Sequence, residues 1–148
     1  MLGLILVDSM HEDQFDVFGP TFPPPSPHEP QALKDTRTFW TTGWRDPGST
    51  TEGIDFPTSL AQAREIASLA DIPIHVLTAG TFLNQLLVPP DRRVGLQELW
   101  DGLQGRFEHL SSNANRTIVK TSGHFIQREQ PRVVIDAVRQ MITQLQPQ

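Results

Sequence analysis

Apolar positions in this chain follow two periodicities. Gly3-Leu-Ile-Leu-Val7 and Ile72-Pro-Ile-His-Val-Leu-Thr78 are short and almost uninterrupted. That is the pattern of strands covered on both faces, as in parallel sheets. A weaker run, Thr117-Ile-Val-Lys-Thr121, predicts a third strand. Elsewhere the apolar positions recur at helical spacing. Leu96, Leu99, Trp100, Leu103, Phe107 and Leu110 form one stripe. Val134, Ile135, Val138, Met141, Ile142 and Leu145 form a second. Pro131 suits the first turn of that last helix, because a missing amide hydrogen costs nothing there. A further helix is expected over residues 59–69, where Ser59 followed by Gln62 has the form of a capping box.

Strands alternating with helices favour parallel pairing through right-handed crossovers. The expected fold class is therefore α/β, with about three parallel strands and flanking helices. Residues 1–9 supply the first core strand and an acid turn. Residues 71–148 form a carboxyl-terminal α/β core with a histidine loop and a final helix. Residues 10–70 differ in character and read as a cap or lid of helices and loops. There Pro20, Pro23, Pro24, Pro25, Pro27 and Pro30 exclude regular helix and central strand. Phe39, Trp40 and Trp44 either line an apolar acyl or aromatic pocket or pack the cap onto its own body. An insertion this long between core strands commonly has a binding or covering role.

Composition narrows the classes. At 148 residues the chain is about one domain long and can bury a core. A net charge of −5, with no cluster of Lys and Arg, argues against a nucleic-acid partner. The lack of cysteine excludes disulfides and thiolate metal sites and leaves the redox compartment open. The apolar opening is cut off by Asp8, is too short to span a bilayer, and lacks the charged start of a signal peptide. No membrane partner is expected, and the expected location is the cytoplasm. No glycine-rich phosphate loop occurs, so no cofactor is expected. His11-Glu-Asp opens a metal-binding H-E-x-x-H pattern, but Phe15 stands where the second histidine belongs, and no metal is expected. His28, His75 and His109 show no mutual spacing that suggests a site.

The candidate chemistry lies just after the strands. Asp8 ends the first run and His124 follows the third in Thr121-Ser-Gly-His124. In open α/β sheets, ligands bind beyond the carboxyl ends of the strands, and parallel strands would bring both residues to that edge. Histidine titrates near neutrality and can take and return a proton. A carboxylate beside it would hold the imidazole in one tautomer and stabilise the imidazolium. The alternatives are a loop histidine satisfied by a backbone carbonyl, and an Asp8 that caps the following helix.

Leu4-Ile-Leu-Val-Asp-Ser-Met-His-Glu-Asp-Gln14, Ile74-His-Val-Leu-Thr-Ala-Gly80 and Ser122-Gly-His-Phe-Ile-Gln-Arg-Glu-Gln-Pro-Arg-Val-Val-Ile135 together resemble the carboxyl-terminal half of an α/β-hydrolase-fold protein. The resemblance covers nearly the whole chain and is least specific over the cap. It implies esterase-like cleavage of an ester or related acyl bond, with His124 as base and Asp8 as acid. Gly80-Thr-Phe-Leu-Asn-Gln85 carries no carboxylate, which makes Asp8 the preferred acid; Asp91 is the reserve, or else the start of the next helix. The family's nucleophile stands on a G-x-S-x-G elbow ahead of the acid. No G-x-S-x-G occurs in this chain, and Ser9, Ser49 and Ser122 stand in other contexts. The chain is thus expected to be a truncated portion, inactive alone, whose intact form takes a small apolar or acyl substrate. Its first strand should then be an edge that self-associates, is covered by the cap, or pairs with an amino-terminal half. The alternative function is a non-catalytic module that binds a ligand or completes another chain's sheet.

Overall fold

In the computed structural model the described residues are 2–50, 52–81 and 90–146, without the side chains of Pro90 and Asp91. Three parallel strands lie in the order β1 (Leu4–Val7), β2 (Ile74–Ala79) and β3 (Ala114–Val119). Leu4 pairs with Ile74 and Ile74 with Ala114, so alternate residues of all three strands share a face. Every residue of β2 is buried, as a continuous apolar run requires between two neighbours and two covering layers. β1 and β3 are the outer strands of this sheet and keep partial exposure.

The two faces are covered by different helices. Leu4, Leu6, Ile74, Val76 and Ala114 pack on Phe107 and Leu110. Those two residues belong to a 3-10 turn, Phe107–Leu110, that prolongs helix α4 (Pro90–Arg106). On the other face Ile5, Val7, Leu77 and Ala79 join Val133, Val134 and Ala137 of helix α6 (Pro131–Leu145). Gly3 belongs to this contact, since a Cβ there would fall 2.5 Å from Met141 Sδ. A larger residue would push α6 off the strand.

Three expectations are corrected. β3 begins at Ala114 and ends at Val119, not over 117–121. Its early residues look too polar for a strand, but Arg116 is held by Asp101 at 2.7 Å and Glu108 at 3.1 Å, both from the α4 side. The helix expected over 59–69 is α3, Phe56–Arg64. Asp55 caps it by accepting from Thr58 N at 3.1 Å, and Ser59 lies inside the helix. One residue of each apolar stripe differs most from expectation. Leu99 of α4 is 40% exposed, and Ile142 of α6 is 53% exposed. Ile135, Val138 and Leu145 are exposed with Ile142, so the apolar arc of α6 is wider than the strip the sheet covers.

The segment before β2 holds helices α1 (Gln14–Phe18) and α2 (Gln31–Thr41) as well as α3. The proline stretch forms no regular element beyond a 3-10 turn at Gly19–Thr21. An ion pair between the largely buried Arg37 and Glu29 ties that stretch to α2 and holds the Glu29 carboxyl below its usual range through the Arg37 hydrogen bond. Phe15, Trp44, Phe56 and Leu60 make a second cluster, in which Phe15 stacks on Trp44 at 4.6 Å. Phe18 and Trp40 also reach the main core, so this segment and the sheet share packing. Among the described residues no helix is long and apolar enough to cross a membrane.

Candidate functional site

β1 ends because Asp8 turns the chain sharply. Its φ of 45° lies in the left-handed region, which a short polar side chain tolerates better than a branched one. Its amide donates to Leu77 O at 2.7 Å, so the turn stays anchored on β2. The carboxylate is 1% exposed and sits among donors. Oδ1 accepts from Ala79 N at 2.8 Å and from Trp100 Nε1 at 2.9 Å. Oδ2 lies 2.8 Å from His124 Nδ1. A buried carboxylate requires such partners to offset its lost hydration.

His124 is set by the turn after β3. Ser122 N donates to Val119 O at 3.0 Å, and Gly123 N donates to Glu129 Oε2 at 2.7 Å. Glu129 belongs to the short helix α5 (Ile126–Glu129), so the next element clamps the loop from behind. Thr81 N donates to Ser122 O at 3.1 Å and joins the turns after β2 and β3. Gly80 permits this closeness, because a Cβ there would lie 2.6 Å from Lys120 Cα. A carboxylate can only accept, so Nδ1 carries the proton in the contact with Asp8 and Nε2 is the basic nitrogen. His124 is half-exposed while Asp8 is sealed.

The pair borders a cavity of about 570 Å³, within the range of small-molecule sites. Met10, Phe15, Phe39, Trp40 and Trp100 supply most of its walls. A cavity of about 340 Å³ lined by Asp16, Thr41 and Arg45 shares only Phe15 with it. The larger one matters for chemistry because it alone of the two touches Asp8 and His124.

The structure therefore brings Asp8 and His124 together at the carboxyl rim of the sheet. Asp91 lies in the first turn of α4, with its side chain outside the described residues; residues 82–85 lie outside them entirely. Ser122 is buried and donates to Gly123 O at 3.0 Å, and exposed Ser49 caps its own loop. Ser9 borders the cavity beside Asp8. His11 and His75 are buried, and burial lowers the pKa of each. Neither borders the cavity, and His28 and His109 are exposed. Among the described residues no group of His, Asp and Glu could hold a metal ion.

Sequence reasoning placed Trp100 in the core but missed its bond to Asp8. A signal existed, since a buried indole N–H needs an acceptor and Asp8 is the buried carboxylate within reach of that helix. Gln14, which also borders the cavity, gave no signal, because one glutamine in a short polar segment looks solvated. No protein-family model, curated protein or solved structure matches this chain significantly, and its chemistry has to be read from its own geometry.

Proposed function

We propose that this chain carries the base and acid of an α/β-hydrolase-type site that cleaves an ester or related acyl bond. Residues 10–70 act as its cap. His124 is the general base, Asp8 orients it, and the nucleophile comes from a polypeptide segment outside these 148 residues. The observation that supports this reading is the 2.8 Å contact between Asp8 Oδ2 and His124 Nδ1 at the edge of an apolar cavity.

The chemistry follows from that geometry. A serine hydroxyl attacks the ester carbonyl while Nε2 of His124 takes its proton. Asp8 stabilises the resulting imidazolium through Nδ1. When the bond to the leaving alcohol breaks, Nε2 returns the proton to the departing oxygen. Water then repeats the sequence on the acyl intermediate and regenerates the serine. Backbone donors for the oxyanion come from the nucleophile's elbow, and no G-x-S-x-G is present here. The chain alone should therefore not turn over.

The test is complementation. Pure chain is assayed on a neutral p-nitrophenyl ester, then again after fusion to a strand, G-x-S-x-G and helix segment. Activity should appear only in the fusion and vanish in its His124→Ala form. Retained activity in that variant would refute the role of His124, and efficient turnover by the bare chain would refute the divided site. The cavity also favours a second reading, a binding module without catalysis. A fusion that binds apolar ligands yet never hydrolyses an ester would support that alternative.

A further inference from the structure

The two outer strands of the sheet are guarded unequally. β3 carries Asn115, Arg116 and Thr117, polar and charged residues of the kind that discourage pairing along an open edge. β1 is Leu4-Ile-Leu-Val7, without a charge or a proline, and its register on β2 runs on without a bulge. Among the described residues no strand pairs with its outer side. Leu4 N donates to Pro73 O at 2.9 Å and Asp8 N to Leu77 O at 2.7 Å. Every second residue from Leu4 therefore bonds to β2, and the N–H and C=O groups of Ile5 and Val7 face outward. Helix α6 leans over the same edge. Gln144 Nε2 donates to Asn113 Oδ1 at 3.2 Å, which fixes the β3 side of the helix. Its β1 side is marked by Gly3, where a Cβ would lie 3.4 Å from Leu145 Cδ1. Turning further that way at 3.6 residues per turn brings Leu145, Val138, Ile142 and Ile135 in succession, all exposed and none charged. With Leu2 they expose on the order of 500 Å² of apolar surface, high for the largest patch of a monomer.

We infer that a second copy of this chain covers this edge, with the two β1 strands antiparallel about a two-fold axis at Leu6 and the two α6 flanks packed on each other. β1 is complementary to itself. A two-fold at Leu6 sets Ile5 of one copy opposite Val7 of the other, and both residues offer outward N–H and C=O groups, so each pair exchanges both of its bonds. The axis stands perpendicular to the sheet. Both α6 helices then lie on one face and meet through the same apolar residues. The area agrees with this, since a standard interface buries about 800 Å² per partner, about 60% of it apolar, and the patch supplies that share. Each copy carries a net charge of −5, and the uncharged flank is where like copies approach with least repulsion. The inference concerns assembly and does not rest on the hydrolase reading.

Sedimentation equilibrium on the full chain tests it. The expected result is a monomer–dimer equilibrium that closes at the dimer, because a two-fold contact uses up both β1 edges. Ile142→Asp or Val138→Asp should weaken the dimer about a hundredfold, since the axis buries each new carboxylate twice. Ile118→Asp, on β3, should leave it unchanged. All three positions are exposed in the single chain, and far-UV circular dichroism establishes that each variant folds. Amide hydrogen exchange gives a second readout. The amides of Ile5 and Val7 should exchange slowly in the dimer and quickly in Ile142→Asp. A chain that stays monomeric up to about 100 μM, assembly beyond the dimer, equal weakening by Ile118→Asp, or Ile5 and Val7 amides that stay fast in the dimer would overturn the inference. Protection of those amides only after fusion to the strand and G-x-S-x-G segment would overturn it too, by giving the edge to that segment.

Discussion

The turn after β1 and the turn after β3 each present a histidine through Nδ1, and the two rings do opposite things. After β3, His124 Nδ1 faces a carboxylate 2.8 Å away, so the nitrogen donates. After β1, His11 Nδ1 accepts from the amide of Asp13 at 3.1 Å, so it must be bare. Glu12 Oε2 also lies 3.4 Å from that nitrogen, but a ring accepting from Asp13 cannot donate there as well. Burial is the main cause of the lowered pKa of His11, helped by the nearby Arg106 and Arg64 and opposed by Glu12 and Asp13. His11 packs against Phe107 with its ring tilted and is 3% exposed, whereas the side chain of His124 is 43% exposed at the cavity. One imidazole serves as a neutral spacer in the core. The other has a charged partner and access to a ligand. What a histidine can do is decided by what meets its ring nitrogens, not by its place in the sequence.

Removing the charged partner breaks this comparison most severely. Asp8→Ala leaves the Trp100 indole and the Ala79 amide buried without their acceptor. It should destabilise the chain by about 3 kcal/mol, the scale for deleting one member of a buried, charged hydrogen-bond set. The measurement is the urea midpoint at constant slope. A loss below about 1 kcal/mol would mean that the carboxylate is not structurally integrated as its bonds indicate.

The same network marks where the chain could be read from its residues and where it could not. β1 and β2 were legible because their apolar runs are continuous, and Asp8 and His124 were legible because they stand where those strands and the next one end. The beginning of β3 was hidden by Arg116, whose charge is met by Asp101 and Glu108 from another element. Pairing of that kind is nonlocal and leaves no periodic trace. α2 was hidden likewise, since proline precedes it and its buried position is Arg37, held by Glu29. The stripe of α6 was legible as a helix but not as a contact. Only the sheet's width decides that Met141 is covered and Ile142 is not.

Acid should expose the buried histidines next. A lowered folded-state pKa means that the unfolded chain takes up protons first, near the ordinary value of 6.5. The stabilising effect is present above that pH and is lost as pH falls below it toward the folded value. His75, whose Nε2 lies 3.0 Å from Thr117 Oγ1 in the sheet, acts in the same direction. The urea midpoint should therefore fall between pH 7 and pH 5, and a His11→Gln, His75→Gln double variant should show a shallower fall. An unchanged slope in the double variant would show that other groups govern acid sensitivity.

His124 should have the smallest effect on stability, and that is the sharpest form of the contrast. His124→Gln keeps an N–H donor able to reach Asp8, and the position is open enough for water to replace what is lost. Its stability change should stay within about 1 kcal/mol, the net worth of one hydrogen bond, because the donor to Asp8 is kept. The same substitution removes the only proton acceptor that the pair offers to a substrate. A complemented protein carrying it should melt like its parent and fail to hydrolyse esters. If it instead unfolds as readily as Asp8→Ala, His124 is a structural partner of the carboxylate, and the difference between the two turns disappears.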